Sequence, residues 1–131
     1  MIWRRVHAVL AIAWVAAIVV QVYLAGQAIA NLGGSGNFET HIGVGYTIGI
    51  IQLAVVLTAF AARMGRRDAW ITIGVLVLYV VQTMLPAAKG SAPWVAALHP
   101  LNAMLLFTIS VWYAWHAWRG AMREPAPPAA G

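Results

Sequence analysis

Four apolar stretches, at 6–30, 42–62, 69–85 and 95–118, contain no Asp, Glu, Lys or Arg, and nothing else in the sequence constrains the fold as tightly. An α-helix rises about 1.5 Å per residue, so roughly 20 residues cross a hydrocarbon core about 30 Å thick. Inside lipid every backbone polar group must be bonded within the protein, which favours helices for segments of this length. Only 8% of the 131 residues are charged, where a soluble domain carries about a quarter. The reading is an all-α four-helix transmembrane bundle.

The predicted helices cover about 6–30, 41–62, 69–86 and 95–118, in a bundle spanning 1–120. Residues 121–131, which hold Glu124 and a proline-rich end, are predicted to be a disordered cytoplasmic tail. Pro86 is expected to stop the third helix. Pro100 either opens the fourth or, if that helix starts near Trp94, frees the carbonyl of Ala96 and kinks it. The first stretch has a competing reading as a signal peptide, with Arg4 and Arg5 as its basic head and Ala28-Ile29-Ala30 as a cleavage site. Its apolar part is far longer than the usual run of about 7–15 residues, which favours a span.

Charge sets the expected orientation. If the spans alternate, Arg4, Arg5, Arg63, Arg66, Arg67, Arg119 and Arg123 share one side and Lys89 alone has the other. By the positive-inside rule both termini are cytoplasmic, and the loops at 31–39 and 86–94 face outward. Short connections favour antiparallel neighbours, hence an up-down-up-down order. The arginines sit at the ends of apolar segments and form no patch, so the net charge of +5 does not indicate nucleic acid. The partner implied is the lipid bilayer, here a bacterial plasma membrane crossed several times, with a homodimer or a larger membrane complex as further options. With no cysteine, thiol redox chemistry and thiolate metal sites are excluded.

The chain also echoes itself. Val19-Val20-Gln21-Val22-Tyr23-Leu24 reads against Val80-Val81-Gln82-Thr83-Met84-Leu85 at an offset of 61, which also places Arg5 on Arg66. His41 and His99 follow at an offset of 58. A duplicated helical hairpin with its axis along the membrane normal accounts for this pattern. It predicts the two imidazoles at comparable depth, on opposite sides of the bundle axis.

His41 and His99 are the candidate metal ligands, because two facing imidazoles can hold a haem iron axially inside a helical bundle. Gly45 and Gly49 lie one and two turns after His41, giving a face without bulk that can take a flat macrocycle or let two membrane helices pack closely. Asn102, Ser110 and Tyr113 share a face with His99. The competing reading places both histidines as amphipathic rings near the headgroups. His7 and His116 read as structural. Gln21, Gln52 and Gln82 read as hydrogen-bonding packing residues. No ionisable acid or base of the kind that carries ions through transporters lies within a span. No nucleophile–base pair, phosphate loop or carboxylate cluster appears, so no catalytic residue is assigned.

The strings Gln21-Val-Tyr-Leu-Ala-Gly, His41-Ile-Gly-Val-Gly-Tyr and Leu98-His99-Pro100-Leu101-Asn102-Ala103 resemble a group of small four-helix bacterial membrane proteins, common in actinobacteria, with no assigned function. A more distant resemblance is to one four-helix half of haem A synthase. It implies His41 and His99 as ligands of a b-type haem. That family places a glutamate three residues before its first histidine, whereas Glu39 stands two before His41, so synthase activity is not implied. The expected function is to bind one haem b for electron transfer, haem handling or redox sensing, with Lys89 as a propionate partner. The alternative is a cofactor-free structural subunit or assembly factor of a larger membrane complex, packing through Gly45, Gly49 and the glutamines.

Overall fold

A computed structural model of the protein describes residues 2–30 and 38–123. The described residues form helices only: α1 (Ile2–Ala30), α2 (Glu39–Thr47), α3 (Gly49–Ala61), α4 (Arg66–Met84), a 3₁₀ segment (Leu85–Gly90), α5 (Pro93–Ala96) and α6 (Leu98–Met122). They group into four spans long and apolar enough to cross a membrane, Ile2–Ala30, Glu39–Ala61, Arg66–Gly90 and Pro93–Met122. The chain is therefore a multi-pass integral membrane protein. Loop positions 31–37 and tail positions 124–131 lie outside the described residues.

The helix limits differ from expectation where local chemistry overrides hydropathy. α1 starts at Ile2, taking Arg4 and Arg5 into its first turns, since arginine is a good helix former. α4 ends at Met84, before Pro86, yet the chain continues as a 3₁₀ segment with Pro86 in its first turn. There its missing N–H removes no helical bond. The fourth span is broken at Ala97 between α5 and α6, and Pro100 is the third residue of α6. Ala121 and Met122, placed in the tail by sequence, complete α6.

α1 packs most heavily against α6 and α3, and α4 against α3 and α6, an antiparallel ring in which neighbours in sequence are neighbours in space. The most extensive contact, α1 on α6, uses small residues: Ala8 and Ala11 on one helix share a core with Ala114, Ala117 and Ala121 on the other. Lipid tails are as apolar as leucine, so membrane helices gain little by burying leucine and associate through close backbone approach instead. Accordingly Val9, Ile12, Val19, Leu57, Phe60, Val77, Leu101 and Met104 are exposed, on surface that hydrocarbon would cover.

Polar residues occupy the interior. His7, Gln52, Thr58, Asp68, Thr72 and Ser110 are all buried. The chemistry concentrates in two polar layers, one around buried His7 and one around half-buried His41 and His99.

Candidate functional site

One layer, called outer after the sidedness that the arginines lead one to expect, is built around the two predicted histidines. α2 carries His41 in its first turn and α6 carries His99 at its second residue. The rings are half-buried, with centroids 6.2 Å apart and planes at 77°. Each ring is held by the preceding span in the same way. His41 Nδ1 lies 3.1 Å from the main-chain oxygen of Gln21, and His99 Nδ1 lies 3.0 Å from that of Gln82. A carbonyl oxygen only accepts, so for His99 this contact puts the proton on Nδ1 and leaves the lone pair on Nε2, whereas for His41 it is opposed by a donor on the same nitrogen. For His99 a second contact agrees: the Gln82 amide nitrogen, a donor, is 3.2 Å from Nε2. For His41 the Gln21 amide nitrogen, 2.9 Å away, competes for Nδ1.

Asn102 fixes this arrangement from one turn below His99. Its Nδ2 donates to the Leu78 carbonyl (3.0 Å) and to Gln82 Oε1 (2.8 Å), which turns the Gln82 amide nitrogen toward the imidazole. The glutamines thus do more than pack. They are the hydrogen-bond partners of both histidines, and the signal that could have identified them is their shared offset of 61 beside the histidine offset of 58.

The glycine face is turned inward, toward α1 and α4 of the same chain. In the orientation that satisfies its amide, Gln21 accepts from the Gly45 N–H (2.8 Å) and donates to the His41 carbonyl (3.0 Å), bridging a turn of α2. Tyr79 donates its hydroxyl to the carbonyls of Gly45 (2.9 Å) and Tyr46 (3.1 Å), and its ring lies against Gly49. A side chain inserted among helical carbonyls bends or breaks the helix there. That is why the second span is interrupted at Ile48, between α2 and α3. Lys89 is exposed on the 3₁₀ segment.

The inner layer centres on His7, which is fully buried. Tyr113 donates to His7 Nε2 (2.8 Å), His7 Nδ1 donates to Thr58 Oγ1 (3.0 Å), and Thr58 donates to the Ala54 carbonyl (2.7 Å). Every group in this chain has a consistent role, so the neutral imidazole is satisfied without a metal. Beside it, His116 Nε2 is 3.5 Å from a carboxylate oxygen of Asp68 and stacks on Trp112, over which the Arg67 guanidinium lies. Among the described residues no group of three His, Cys, Asp or Glu side chains could hold a metal ion. Sequence reasoning took His7 as structural and missed its partners, because Thr58 and Tyr113 are 51 and 106 residues away.

The sequence family DUF6220, described as a family of unknown function, matches residues 21–88, just over half of the chain. The matched region takes in Gln21, His41, Gly45, Gly49, Tyr79 and Gln82, most of the outer layer. No curated protein and no solved structure matches the chain.

Proposed function

From the premise that the chain belongs to the DUF6220 family, whose function is unknown, we propose that it binds one haem b in the membrane, and that His41 and His99 would be the residues that hold it. The observation that carries this reading is the matched anchoring of the two rings. A ligating histidine characteristically donates its other ring N–H to a carbonyl or carboxylate, which fixes its tautomer and raises its basicity. Both imidazoles have such a carbonyl within reach, from Gln21 and Gln82, and His41 uses its own once the Gln21 amide turns away from Nδ1. Centroids 6.2 Å apart are close enough for both rings to reach one metal ion through bonds of about 2 Å.

A haem held by two imidazoles supplies one-electron chemistry and has no open iron position. The role is then electron transfer, haem handling or redox sensing rather than catalysis. The chain's own residues hold and orient. Asn102 and Gln82 position His99, and Lys89 is the candidate partner for a propionate. Binding requires the Gln82 amide to leave His99 Nε2, and Gln21 and Tyr79 to move from beside Gly45 and Gly49. The protein works in a bacterial plasma membrane with both termini in the cytoplasm.

A second reading is favoured by that same packing. Tyr79 fills the face at Gly49, and His99 already has protein partners for both nitrogens. On this reading the chain is a cofactor-free subunit or assembly factor, alone as a homodimer or within a larger membrane complex. Reduced-minus-oxidised spectra of protein purified from haem-supplied cells decide between the two. Haem b spectra lost in both His41→Ala and His99→Ala support the first reading. A colourless wild type, or haem retained in both variants, leaves the second.

A further inference from the structure

Between the two polar layers lies a small void of about 10 Å³, lined by Ala11, Trp14, Gln52, Val55, Thr72, Val75, Ser110 and Tyr113. Gln52 lines it with a side chain only 1% exposed. Its Nε2 donates to the Thr72 carbonyl (2.9 Å), but its Oε1 has no hydrogen-bond partner among the described residues. An unpaired buried amide oxygen keeps the full cost of its lost hydration, and such groups are rare in native cores unless a partner such as an ordered water compensates.

We infer that this void is a binding site for a single ordered water molecule. A cavity holds a water when it offers about 10–15 Å³ to the centre of the molecule and two to four polar partners. The void reaches the lower end of that range, and four of the side chains that line it are polar and complementary. Gln52 Oε1 is an acceptor in need of a donor. Ser110 Oγ accepts from Trp14 Nε1 (2.9 Å), which leaves its own proton to give. Thr72 donates to the Ala69 carbonyl (2.9 Å) and Tyr113 to His7, so the oxygen of each keeps an accepting lone pair. One water can take the Ser110 proton, give one hydrogen to Gln52, and give the other to Thr72 or Tyr113. Both of its hydrogens, one of its lone pairs and the orphaned oxygen are then satisfied.

The lining also falls into pairs at the offsets that align the two halves of the sequence. Ala11 and Thr72, and Trp14 and Val75, are 61 apart; Gln52 and Ser110, and Val55 and Tyr113, are 58 apart. The water therefore sits where equivalent positions of the two hairpins converge, and the polar pair Gln52 and Ser110 supplies its acceptor and its donor. Through Tyr113 it extends the His7–Thr58 chain from the arginine-rich end to the middle of the bundle. This site stands whether or not haem binds in the outer layer.

The test is water-to-protein magnetisation transfer on the ¹⁵N-labelled full chain in detergent, read at the Gln52 side-chain amide and the Trp14 indole N–H. The expected result is cross-peaks to water at both, of the sign given by a molecule tumbling with the protein. Gln52→Met should remove the cross-peak at Trp14; if that variant does not fold, Ser110→Ala should remove the one at Gln52. Absence of both cross-peaks in the folded wild type overturns the proposal. So does a Trp14 cross-peak that survives in folded Gln52→Met, since the anchor would then not be Gln52.

Discussion

The ring of Tyr79 occupies the space into which any side chain at Gly49 would grow: a Cβ at residue 49 would lie 2.5 Å from the Tyr79 hydroxyl oxygen and 2.6 Å from its ring. The same hydroxyl draws on the Gly45 and Tyr46 carbonyls, so one tyrosine both demands the glycine and interrupts the helix beside it. Gly49→Ala should destabilise the protein by about 1–3 kcal/mol through overpacking. Thermal unfolding in detergent checks this, and adding Tyr79→Leu should recover part of the loss, because residues in contact are not additive. A full loss from Gly49→Ala that Tyr79→Leu leaves untouched would mean the close approach is not the cause.

His7 is the hub of the inner layer, with a partner on each ring nitrogen. Replacing it by Leu strands a buried hydroxyl on Tyr113 and should cost about 1–3 kcal/mol. Tyr113→Phe, which removes the donor and leaves one imidazole nitrogen unpaired, should cost a comparable amount. The double variant His7→Leu/Tyr113→Phe should cost less than the two single losses summed, since each single change already breaks the shared bond. Chemical or thermal denaturation of all three variants supplies the numbers.

At the outer layer, Gln82→Met removes the amide that touches His99 Nε2 but keeps the main-chain carbonyl that anchors Nδ1. If haem binds, the spectrum should persist in Gln82→Met, because the orienting bond survives and a competitor for Nε2 is gone. It should vanish in His99→Ala. Loss of haem in folded Gln82→Met to the same extent as in His99→Ala would count against His99 being held by its carbonyl.

Arg63 ends α3 with φ 49°, the left-handed conformation, and the Met64 N–H reaches back to the Ala59 carbonyl (3.0 Å) around it. Glycine is the usual residue at this position of a helix end, because it has no Cβ to clash. Arg63→Gly should therefore leave stability unchanged or raise it by up to about 1 kcal/mol, relief of strain being set against a more flexible unfolded chain. A clear fall in melting temperature would show that the Arg63 side chain contributes more than its backbone costs.

The arginine count predicts sidedness. In an otherwise cysteine-free chain, a cysteine at Ser91, in the turn between the 3₁₀ segment and α5, should react with an impermeant thiol reagent added to whole cells. One at Arg66 should react only after the membrane is opened. The reverse pattern would overturn the positive-inside assignment.

The sequence by itself determined the number of spans and their class. A bilayer requires about 20 apolar residues per crossing and forbids unpaired backbone, so composition and length leave few alternatives. His41 and His99 were also legible as a pair, and they do meet at one end of the bundle. Only the tertiary structure decided what each inward residue touches. Apart from the His99, Asn102, Ser110 and Tyr113 face of the fourth helix, the spans carry no continuous polar stripe to say which face turns in, so rotation about the axis is set by close packing with neighbours. That rotation put Gln21 and Gln82 on the histidines, turned the bulk-free face at Gly45 and Gly49, read as either a cofactor groove or a packing face, onto Gln21 and Tyr79, and buried His7 between Thr58 and Tyr113.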